Sequence, residues 1–562
     1  MTETTAPIAK DRRTSTAARI GWTILILATL YVCYFSHLGA IGFVGPDEPR
    51  YAWIARDMAE TGDWVTPRLY GKPWFEKPVL YYWGAALCFK LFGVSEAAAR
   101  LPSAISALLA TLALAWLALR LYRAETARWL LLLLPTTIGM IGFSHAAATD
   151  MPFSSMLTIA MVCAAVVLGL TRNENTPILP RTPWLALILF GFFLGLAVLA
   201  KGPAAIILSG GAIFFWALIT KRWSDAFRLF HLAAIASFCL TALPWYILCA
   251  RRNPDFFRIF IIEHNFKRYL TPEFQHIQPF WFYGGILLIA FLPWAAILLW
   301  TCVAGVIRLV KQRKCGSGMV LLLCWISFCV AFFSLSQSKL PGYILPAVPA
   351  IGLILARACN SLASENAKSF GVTLWGFSLL VFVLALTNRF RLQASRGGDS
   401  LGFAIVLILL AVAFPGVILG IGFLFSRKGL VRNAALLLSL LPMLLSLSVA
   451  HRLASDLGII RKSPRELAAE LIAQHVSIDG LTTYNLGPSW RYGLNFYLGR
   501  ELSAWSQDPA MDTYVLSEIH LCINSQTRGF ACSDESSVDG LFVSHITPKT
   551  SADSHRRSGQ PH

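Results

Sequence analysis

The chain has 562 residues, of which 56% are hydrophobic and only 14% are charged, and its formal net charge is +18. Soluble globular domains carry about 25% charged residues, so this composition excludes an ordinary soluble protein. The apolar residues are concentrated in runs of about 18–20, which can cross a bilayer at about 1.5 Å per residue of helix. The composition therefore predicts an all-α polytopic membrane protein.

The positive charge lies mainly in short loops between the apolar runs. Such loops are typically cytoplasmic and contact anionic lipid headgroups, so we expect membrane lipids, and no nucleic acid, as partners. The same bias places the amino terminus, residues 1–19, in the cytoplasm. The first apolar run has no clear cleavage site and is interpreted as an uncleaved anchor.

Residues 20–451 are predicted to form one transmembrane domain of about thirteen helices. The interrupted apolar stretch 79–92 is too short to span and is interpreted as a helix beside the membrane. An odd number of spans places the residues from 452 onward outside the cytoplasm. The predicted spans lie near 20–43, 101–121, 127–143, 152–171, 183–200, 203–219, 229–249, 280–307, 318–335, 341–357, 370–387, 402–425 and 431–450.

The first outer loop, residues 44–100, is long and opens with VGPDEPRYAWIARDM. Asp47, Glu48 and Arg50 therefore stand directly after an apolar run. An acid before Pro49 is also a suitable N-cap for a helix with proline in its first turn. Capping explains either acid alone, and the residues themselves leave Glu48 without an assigned role.

More ionisable groups follow in loops on the same predicted side of the membrane. Each has an ordinary alternative, because acids cap helices, lysines extend to lipid headgroups and exposed ion pairs contribute little. Their convergence on one face favours a functional site, since ionisable groups at membrane depth are costly. They are Glu76 and Lys77 in GKPWFEKP, Asp150 in TDMP, Lys201 in LAKGP, His264 in EHNFKRY, and Lys339 and Tyr343 in SQSKLPGYILP.

These residue types suit one kind of chemistry. Cations and a tyrosine hydroxyl donate charge-assisted hydrogen bonds to phosphate oxygens. A nearby carboxylate suits a general base that takes a proton from an attacking hydroxyl, and apolar spans suit a lipid tail. Together they predict group transfer from a lipid-linked donor with a phosphate leaving group.

The carboxyl-terminal part changes in character, and residues 452–535 are predicted to form a small α/β domain. SPRELAAELIAQH is typical of a helix capped by Ser463, and GLTTYNL and TYVLSEI are typical of short strands. Residues 536–562 are mostly polar and are predicted to be disordered. Cys522 and Cys532 form a disulfide if this part faces an oxidising compartment, and a free pair is an equal alternative.

The motifs quoted above, together with FGVSEAAARLPS, resemble those of the bacterial 4-amino-4-deoxy-L-arabinose lipid A transferases. These form glycosyltransferase family 83, which has the GT-C fold and is related to the protein O-mannosyltransferases. The resemblance extends from about residue 20 to residue 343, and more loosely beyond. It implies a GT-C catalytic domain at 20–451, a multi-pass protein of the bacterial inner membrane and a periplasmic active site.

The resemblance also implies roles for individual residues. Asp47 matches the aspartate that activates the acceptor, and Asp150 matches the second acidic position. Pro49 departs from the small or polar residue expected there. Arg50, Lys77 and Tyr343 match donor-phosphate contacts, with Lys339 and Lys201 nearby in the pattern, and Glu76 and His264 match a pair that binds zinc or another divalent cation.

The implied activity is inverting transfer of a sugar from a polyprenyl-phosphate donor to lipid A or another envelope glycolipid. The sugar of the family is 4-amino-4-deoxy-L-arabinose, but no residue pattern in this sequence indicates which sugar or which acceptor is used. A protein O-mannosyltransferase or a polysaccharide-modifying transferase is the alternative within the same class. A transporter of lipid-linked sugars is the alternative from another class, and it predicts internal symmetry and mid-membrane charges that the sequence lacks.

Overall fold

In a computed structural model, the protein is predominantly helical. The sequence carries long apolar runs, and in a bilayer only helices or closed barrels satisfy every backbone N–H and C=O group internally. The structure describes residues 16–171, 182–270, 277–312, 315–365, 463–474, 476–506, 512–522, 531–538 and 541–547, with three single residues near 372–376.

The helices of the first part run from the amino terminus to residue 365. Two of them are joined by a π-helix at Arg258–Lys267, and a 3-10 helix at Pro341–Ala347 precedes the last. They are α1 Thr16–Tyr34, α2 Asp47–Thr61, α3 Leu80–Phe92, α4 Glu96–Leu121, α5 Ala124–Leu133, α6 Ile138–Ser144, α7 Asp150–Val167, α8 Trp184–Lys201, α9 Ala204–Thr220, α10 Trp223–Phe227, α11 Leu232–Arg252, α12 Arg268–Leu270, α13 Phe282–Ala290, α14 Ala295–Gln312, α15 Ser317–Leu335 and α16 Val348–Glu365.

Among the described residues, six helices are long and apolar enough to cross a membrane, or seven if the pair α5 and α6, bent by 62°, is one span. This makes the chain a membrane protein. Two of the predicted spans, 402–425 and 431–450, lie outside the described residues, as does 370–387 except for residues 372, 375 and 376, so the total of thirteen remains a prediction. The six are Glu96–Leu121, Asp150–Val167, Trp184–Lys201, Leu232–Arg252, Ser317–Leu335 and Pro341–Ser361.

Besides the bent pair α5 and α6, two of the predicted spans do not form single long helices. The helix in 20–43 ends at Tyr34, and the rest of that apolar run is irregular. The run 280–307 is divided between α13 and α14, which are separated at Pro293, a residue that offers no N–H to a helix interior. Hydropathy counts alone detected the apolar length but not these interruptions.

The first outer loop is folded. It consists of α2, a two-stranded hairpin of β1 Arg68–Leu69 and β2 Lys72–Pro73, and α3. The predicted helix at 79–92 is thereby confirmed as α3. Ser95 caps the next helix, since its hydroxyl accepts a hydrogen bond from the Ala98 N–H at 3.2 Å.

Carboxyl-terminal residues form two helices and a four-stranded sheet. The helices are α17 Pro464–Ala473 and α18 Pro488–Leu498, and the strands are β3 Leu481–Tyr484, β4 Thr513–Ser517, β5 Ala531–Val538 and β6 Leu541–Thr547. The order in the sheet is β3-β4-β6-β5, with β3 and β4 parallel and the other pairs antiparallel. The predicted helix from Ser463 and both predicted strands are confirmed.

One boundary in this part was wrong. The disordered tail was predicted to begin at 536, but residues 536–538 and 541–547 lie in strands β5 and β6. Leu541, Val543 and Ile546 are buried, so sheet pairing and a buried strand face outweigh the polar composition around them.

Of the two alternatives for Cys522 and Cys532, the structure has the disulfide. Their sulfur atoms are bonded, with Cα atoms 5.3 Å apart.

The carboxyl-terminal segment packs directly on the first outer loop. The Tyr497 hydroxyl accepts a hydrogen bond from the Phe43 N–H at 3.1 Å and donates one to Glu96 at 3.0 Å. Arg465 also pairs with Glu96 at 3.1 Å. These contacts place both parts of the chain on the same side of the membrane, which requires an even number of crossings between them.

Candidate active site

The two predicted acidic residues, Asp47 and Asp150, occupy equivalent positions in their helices. Asp47 is the first residue of α2 and Asp150 the first residue of α7, and the N-cap residues are Pro46 and Thr149. Neither acid is therefore an N-cap, and the capping alternative is wrong. Negative charge in the first turn still favours each helix through its dipole, while the carboxylates are used in ion pairs.

A chain of ion pairs begins at Asp47. Its carboxylate accepts a hydrogen bond from Arg50 at 2.6 Å, and the same guanidinium nitrogen lies 2.9 Å from Glu76. The other oxygen of Glu76 lies 3.3 Å from the Lys77 ammonium. Asp47 is the exposed end of this chain, with 57% of its side chain accessible, whereas Arg50 is 13% exposed and Glu76 10%.

The environment fixes Arg50 as a cation. Burial lowers the pKa of its guanidinium, but the carboxylates of Glu76 and Asp47 raise it, and the net result lies well above the ordinary value. The guanidinium also lies 5.4 Å from the Trp74 ring and 5.9 Å from the Tyr492 ring. The guanidinium is thus held by both carboxylates and by neighbouring aromatic rings.

A second ion pair joins α7 to α8. The Lys201 ammonium contacts the Asp150 carboxylate and lies 4.6 Å from the centroid of the Tyr343 ring. Gly342 makes this arrangement possible, because a Cβ atom there would lie 2.9 Å from Oδ1 of Asp150. Three motifs that are far apart in the sequence, TDMP, LAKGP and KLPGY, therefore meet at one point.

A cavity of about 340 Å³ brings most of the predicted residues together. Glu76, Lys77, Lys201, His264 and Tyr343 line it. Asp47 and Arg50 are connected to it through Glu76, and Asp150 through Lys201. Lys339 is buried, with 8% exposure, in the turn before Tyr343 and is not one of the residues that line the cavity.

The remainder of the lining is largely apolar. The sequence did not indicate these residues, because aromatic and aliphatic side chains in a span carry no chemical signal, although Tyr269 belongs to the EHNFKRY motif. Tyr269 stacks on Phe332 with ring centroids 4.8 Å apart. These lining residues are Pro203, Ala204, Ile207, Tyr269, Leu270, Phe332, Phe333 and Ser336.

Glu48 has a structural role beside this site. It is buried and pairs with Arg100 through both carboxylate oxygens, at 3.1 and 2.9 Å. It also accepts hydrogen bonds from the N–H groups of Val44 at 2.8 Å and Ala147 at 2.7 Å. The pair therefore connects the loop that carries Asp47 to the segment just before Asp150.

The metal prediction rests on Glu76 and His264. Both side chains line the cavity, but no group of three or more His, Cys, Asp or Glu residues able to hold a metal occurs within the described parts of the chain. A closed zinc site has four ligands, and Glu76 is already paired with two cations. These side chains do not form a complete protein-built metal site.

Comparison with known proteins identifies the family. The dolichyl-phosphate-mannose-protein mannosyltransferase family matches residues 20–260. The undecaprenyl phosphate-alpha-4-amino-4-deoxy-L-arabinose arabinosyl transferase of Aeromonas hydrophila is 31% identical over 419 residues, which cover 73% of each chain. This chain belongs to the 4-amino-4-deoxy-L-arabinose arabinosyl transferase family. The resemblance inferred from the motifs is thereby confirmed.

Other members of the arabinosyl transferase family match over a shorter part. The Enterobacter sp. (strain 638) protein is 31% identical over 344 residues, or 61% of this chain and 60% of its own. The Erwinia tasmaniensis protein is 33% identical over 325 residues, or 58% and 57%. The chain thus spans about six-tenths of the length of these relatives.

A solved structure agrees with the fold. ArnT from Cupriavidus metallidurans, solved bound to undecaprenyl phosphate, superimposes with a TM-score of 0.77 over 94% of this chain and 98% of that one, at 23% sequence identity. At this level of identity the similarity concerns the fold. It confirms the predicted GT-C architecture of the arabinosyl transferase family.

Proposed function

We propose that this protein is an inverting glycosyltransferase that moves 4-amino-4-deoxy-L-arabinose from undecaprenyl phosphate to lipid A or a related envelope glycolipid. One observation carries the proposal: a single cavity combines Lys77, Lys201 and Tyr343 with an apolar wall. Cations and a hydroxyl bind phosphate, and the apolar side chains accommodate the first isoprene units. The names of the family members supply the sugar and the lipid carrier.

In the proposed reaction, an oxygen of the acceptor attacks the anomeric carbon of the sugar from the face opposite the phosphate. The bond between that carbon and the phosphate oxygen breaks, and the bonding electrons leave with undecaprenyl phosphate. Lys77 and Lys201 stabilise the charge that develops on the phosphate. Asp47, the most exposed of the site carboxylates, takes the proton of the acceptor hydroxyl.

Asp150 has a different role in this proposal. Its carboxylate contacts Lys201, and it holds that ammonium beside the Tyr343 ring. Arg50 acts in the same way between Asp47 and Glu76, since its guanidinium is shared by the two carboxylates. Lys339 is buried next to this region and is assigned to the support of the donor-phosphate site.

The active site is proposed to face the periplasm of a bacterial inner membrane. The basic residues of the opposite loops support this orientation. Thirteen spans would put an even number of crossings between the first outer loop and the carboxyl-terminal segment, in agreement with their contact. Residues 463–547 would then form an α/β domain on the periplasmic side of the membrane.

A reconstituted reaction tests the proposal. Purified protein in detergent is given undecaprenyl phosphate-linked 4-amino-4-deoxy-L-arabinose and lipid A, and the lipids are analysed by mass spectrometry. We expect lipid A to gain one aminosugar, and Lys201→Met to reduce the product while Lys72→Met, an exposed lysine of the same outer face, does not. Sugar on a peptide or polysaccharide, or flipping of the donor without a covalent product, would contradict the assignment.

A divalent cation at Glu76 and His264 stays a prediction, and no step above depends on it. With only two protein donors, we expect the purified protein to hold less than one equivalent of zinc, and His264→Ala to hold less still. Elemental analysis after dialysis measures both. Equal zinc content in the two proteins would remove this site.

A further inference from the structure

One carboxylate oxygen of the carboxyl-terminal segment contacts two elements of the first outer loop, helix α2 and the turn between β1 and β2. Oε1 of Glu501 accepts a hydrogen bond from Nε1 of Trp53 at 2.8 Å and another from the backbone N–H of Tyr70 at 2.5 Å. Glu501 follows α18 in the chain and is separated from both donors by more than four hundred residues. This contact is therefore tertiary.

The two donors belong to different elements of the first outer loop. Trp53 lies on α2, one turn after Arg50, and its side chain is buried. Tyr70 stands in the turn between β1 and β2 with φ of 53°, in the left-handed region that non-glycine residues seldom adopt. The second strand leads within a few residues to Glu76, the partner of Arg50, so the turn is continuous with the segment that carries this carboxylate.

Neighbouring contacts of α18 strengthen the connection. Nδ2 of Asn495 donates to the Tyr70 hydroxyl at 2.7 Å, and Oδ1 of the same residue accepts from the Leu502 N–H at 2.9 Å. Asn495 is fully buried. Arg56 of α2 donates to the Phe496 carbonyl at 2.7 Å. The turn at Tyr70 and helix α2 are thus both held against α18, which lies outside the first outer loop in the sequence.

Glu501 also lies close enough to α2 to affect another acid there. Burial raises the pKa of Asp57, and the negative charge of Glu501 raises it further. The negative charge of Glu501 near Asp57 is electrostatically unfavourable, because the two carboxylates repel each other. The hydrogen bonds that Glu501 accepts from α2 and from the hairpin offset this repulsion, which favours a positional role for this residue.

We propose that Glu501 is a positioning residue for sugar transfer. By holding α2 and the β1–β2 turn in one relative placement, it keeps Arg50 between Asp47 and Glu76 at hydrogen-bond distance. The proposal rests on the proposed function, since it assigns these side chains to the reacting site. It gives the carboxyl-terminal segment a part in catalysis.

The test compares Glu501→Ala with Glu501→Gln. A displacement of about 1 Å at a reacting site costs up to about a hundredfold in rate, so we expect alanine to lower kcat by about tenfold or more. Glutamine retains an oxygen that accepts both hydrogen bonds, and we expect it to restore kcat to within about threefold. Glu470→Ala, an exposed acid of α17, serves as the matched control and should leave kcat unchanged.

A double-mutant cycle separates positioning from general destabilisation. If Glu501 acts through Arg50, then adding Glu501→Ala to Arg50→Gln lowers kcat by less than about twofold, because the side chain being positioned is already absent. If the loss of kcat in the double variant equals the product of the losses in the two single variants, the proposal is overturned. So would a wild-type kcat in Glu501→Ala.

Amide hydrogen exchange gives a readout that does not depend on sugar transfer. We expect Glu501→Ala to increase exchange in residues 47–61 and 68–73 while the exchange of α7 and α8 stays unchanged. If the wild type transfers no sugar but this local increase occurs, the proposed function fails and the link through Glu501 stands. Unchanged exchange in 47–61 and 68–73 would overturn the link itself.

Discussion

Lys201 and Asp150 form an ion pair between the last turn of α8 and the first turn of α7, at the edge of the cavity. The pair determines how both residues can act. The ammonium keeps further N–H groups for a phosphate oxygen, since a lysine has three donors, while the carboxylate is engaged by the cation. The pair therefore favours Lys201 as a phosphate contact and Asp150 as its support.

Replacement of Lys201 by methionine tests the phosphate contact. A hydrogen bond to a charged group contributes about 1.5–3 kcal/mol, which corresponds to roughly 10–150-fold in affinity. We expect Lys201→Met to weaken binding of undecaprenyl phosphate by this factor, measured by titration in detergent. Lys72→Met is the control, and equal affinity of the two variants would contradict the contact.

Asp47→Asn tests the proton acceptor. A general base contributes about 10²–10⁴-fold to rate, so we expect kcat to fall at least a hundredfold while donor affinity changes by less than about twofold. The measurement is kcat with lipid A as acceptor, beside binding of undecaprenyl phosphate. Glu60→Gln changes an exposed acid of the same helix and should leave kcat unaltered. Normal turnover by Asp47→Asn would mean that another group takes the proton of the acceptor hydroxyl.

Arg100→Met tests the structural pair with Glu48. Arg100 also donates to the carbonyl oxygens of Leu38, Ile41 and Gly42, at 2.8, 2.7 and 3.0 Å. Removing one partner of a buried ion pair costs about 3–5 kcal/mol, so we expect a clearly lower melting temperature in detergent. The exposed pairs of Arg258 should contribute little, and a similar shift in Arg258→Gln would contradict this difference.

Gly342→Ala tests the close approach of the KLPGY segment to Asp150. The new methyl group would lie 2.9 Å from Oδ1 of Asp150 and 3.0 Å from Cε1 of Phe143. We expect it to displace the carboxylate from Lys201 and to lower kcat/KM by about tenfold. Gly284→Ala, where a Cβ atom meets nothing within 4 Å, is the control. An unchanged kcat/KM for Gly342→Ala would show that this contact is not needed.

Sequence patterns identified much of this protein correctly. Apolar runs located the helices that can span a membrane, because the hydrocarbon core imposes a minimum length. The charged motifs identified residues that the fold gathers, and five of them line one cavity. Patterns failed where a short interruption or a sheet pairing decides the structure, as at Pro293 and in strand β6.

The composition and order of motifs were thus sufficient for the class of protein and for the family, and they indicated several of the polar residues that the fold brings to one cavity. Only the tertiary structure decided the partners of those residues. It paired Asp150 with Lys201, assigned Glu48 to Arg100 and brought Glu501 to Trp53 and Tyr70. The energy of an ion pair depends on the distance between the two charges in space, because the Coulomb energy falls as that distance grows. The sequence records only distance along the chain.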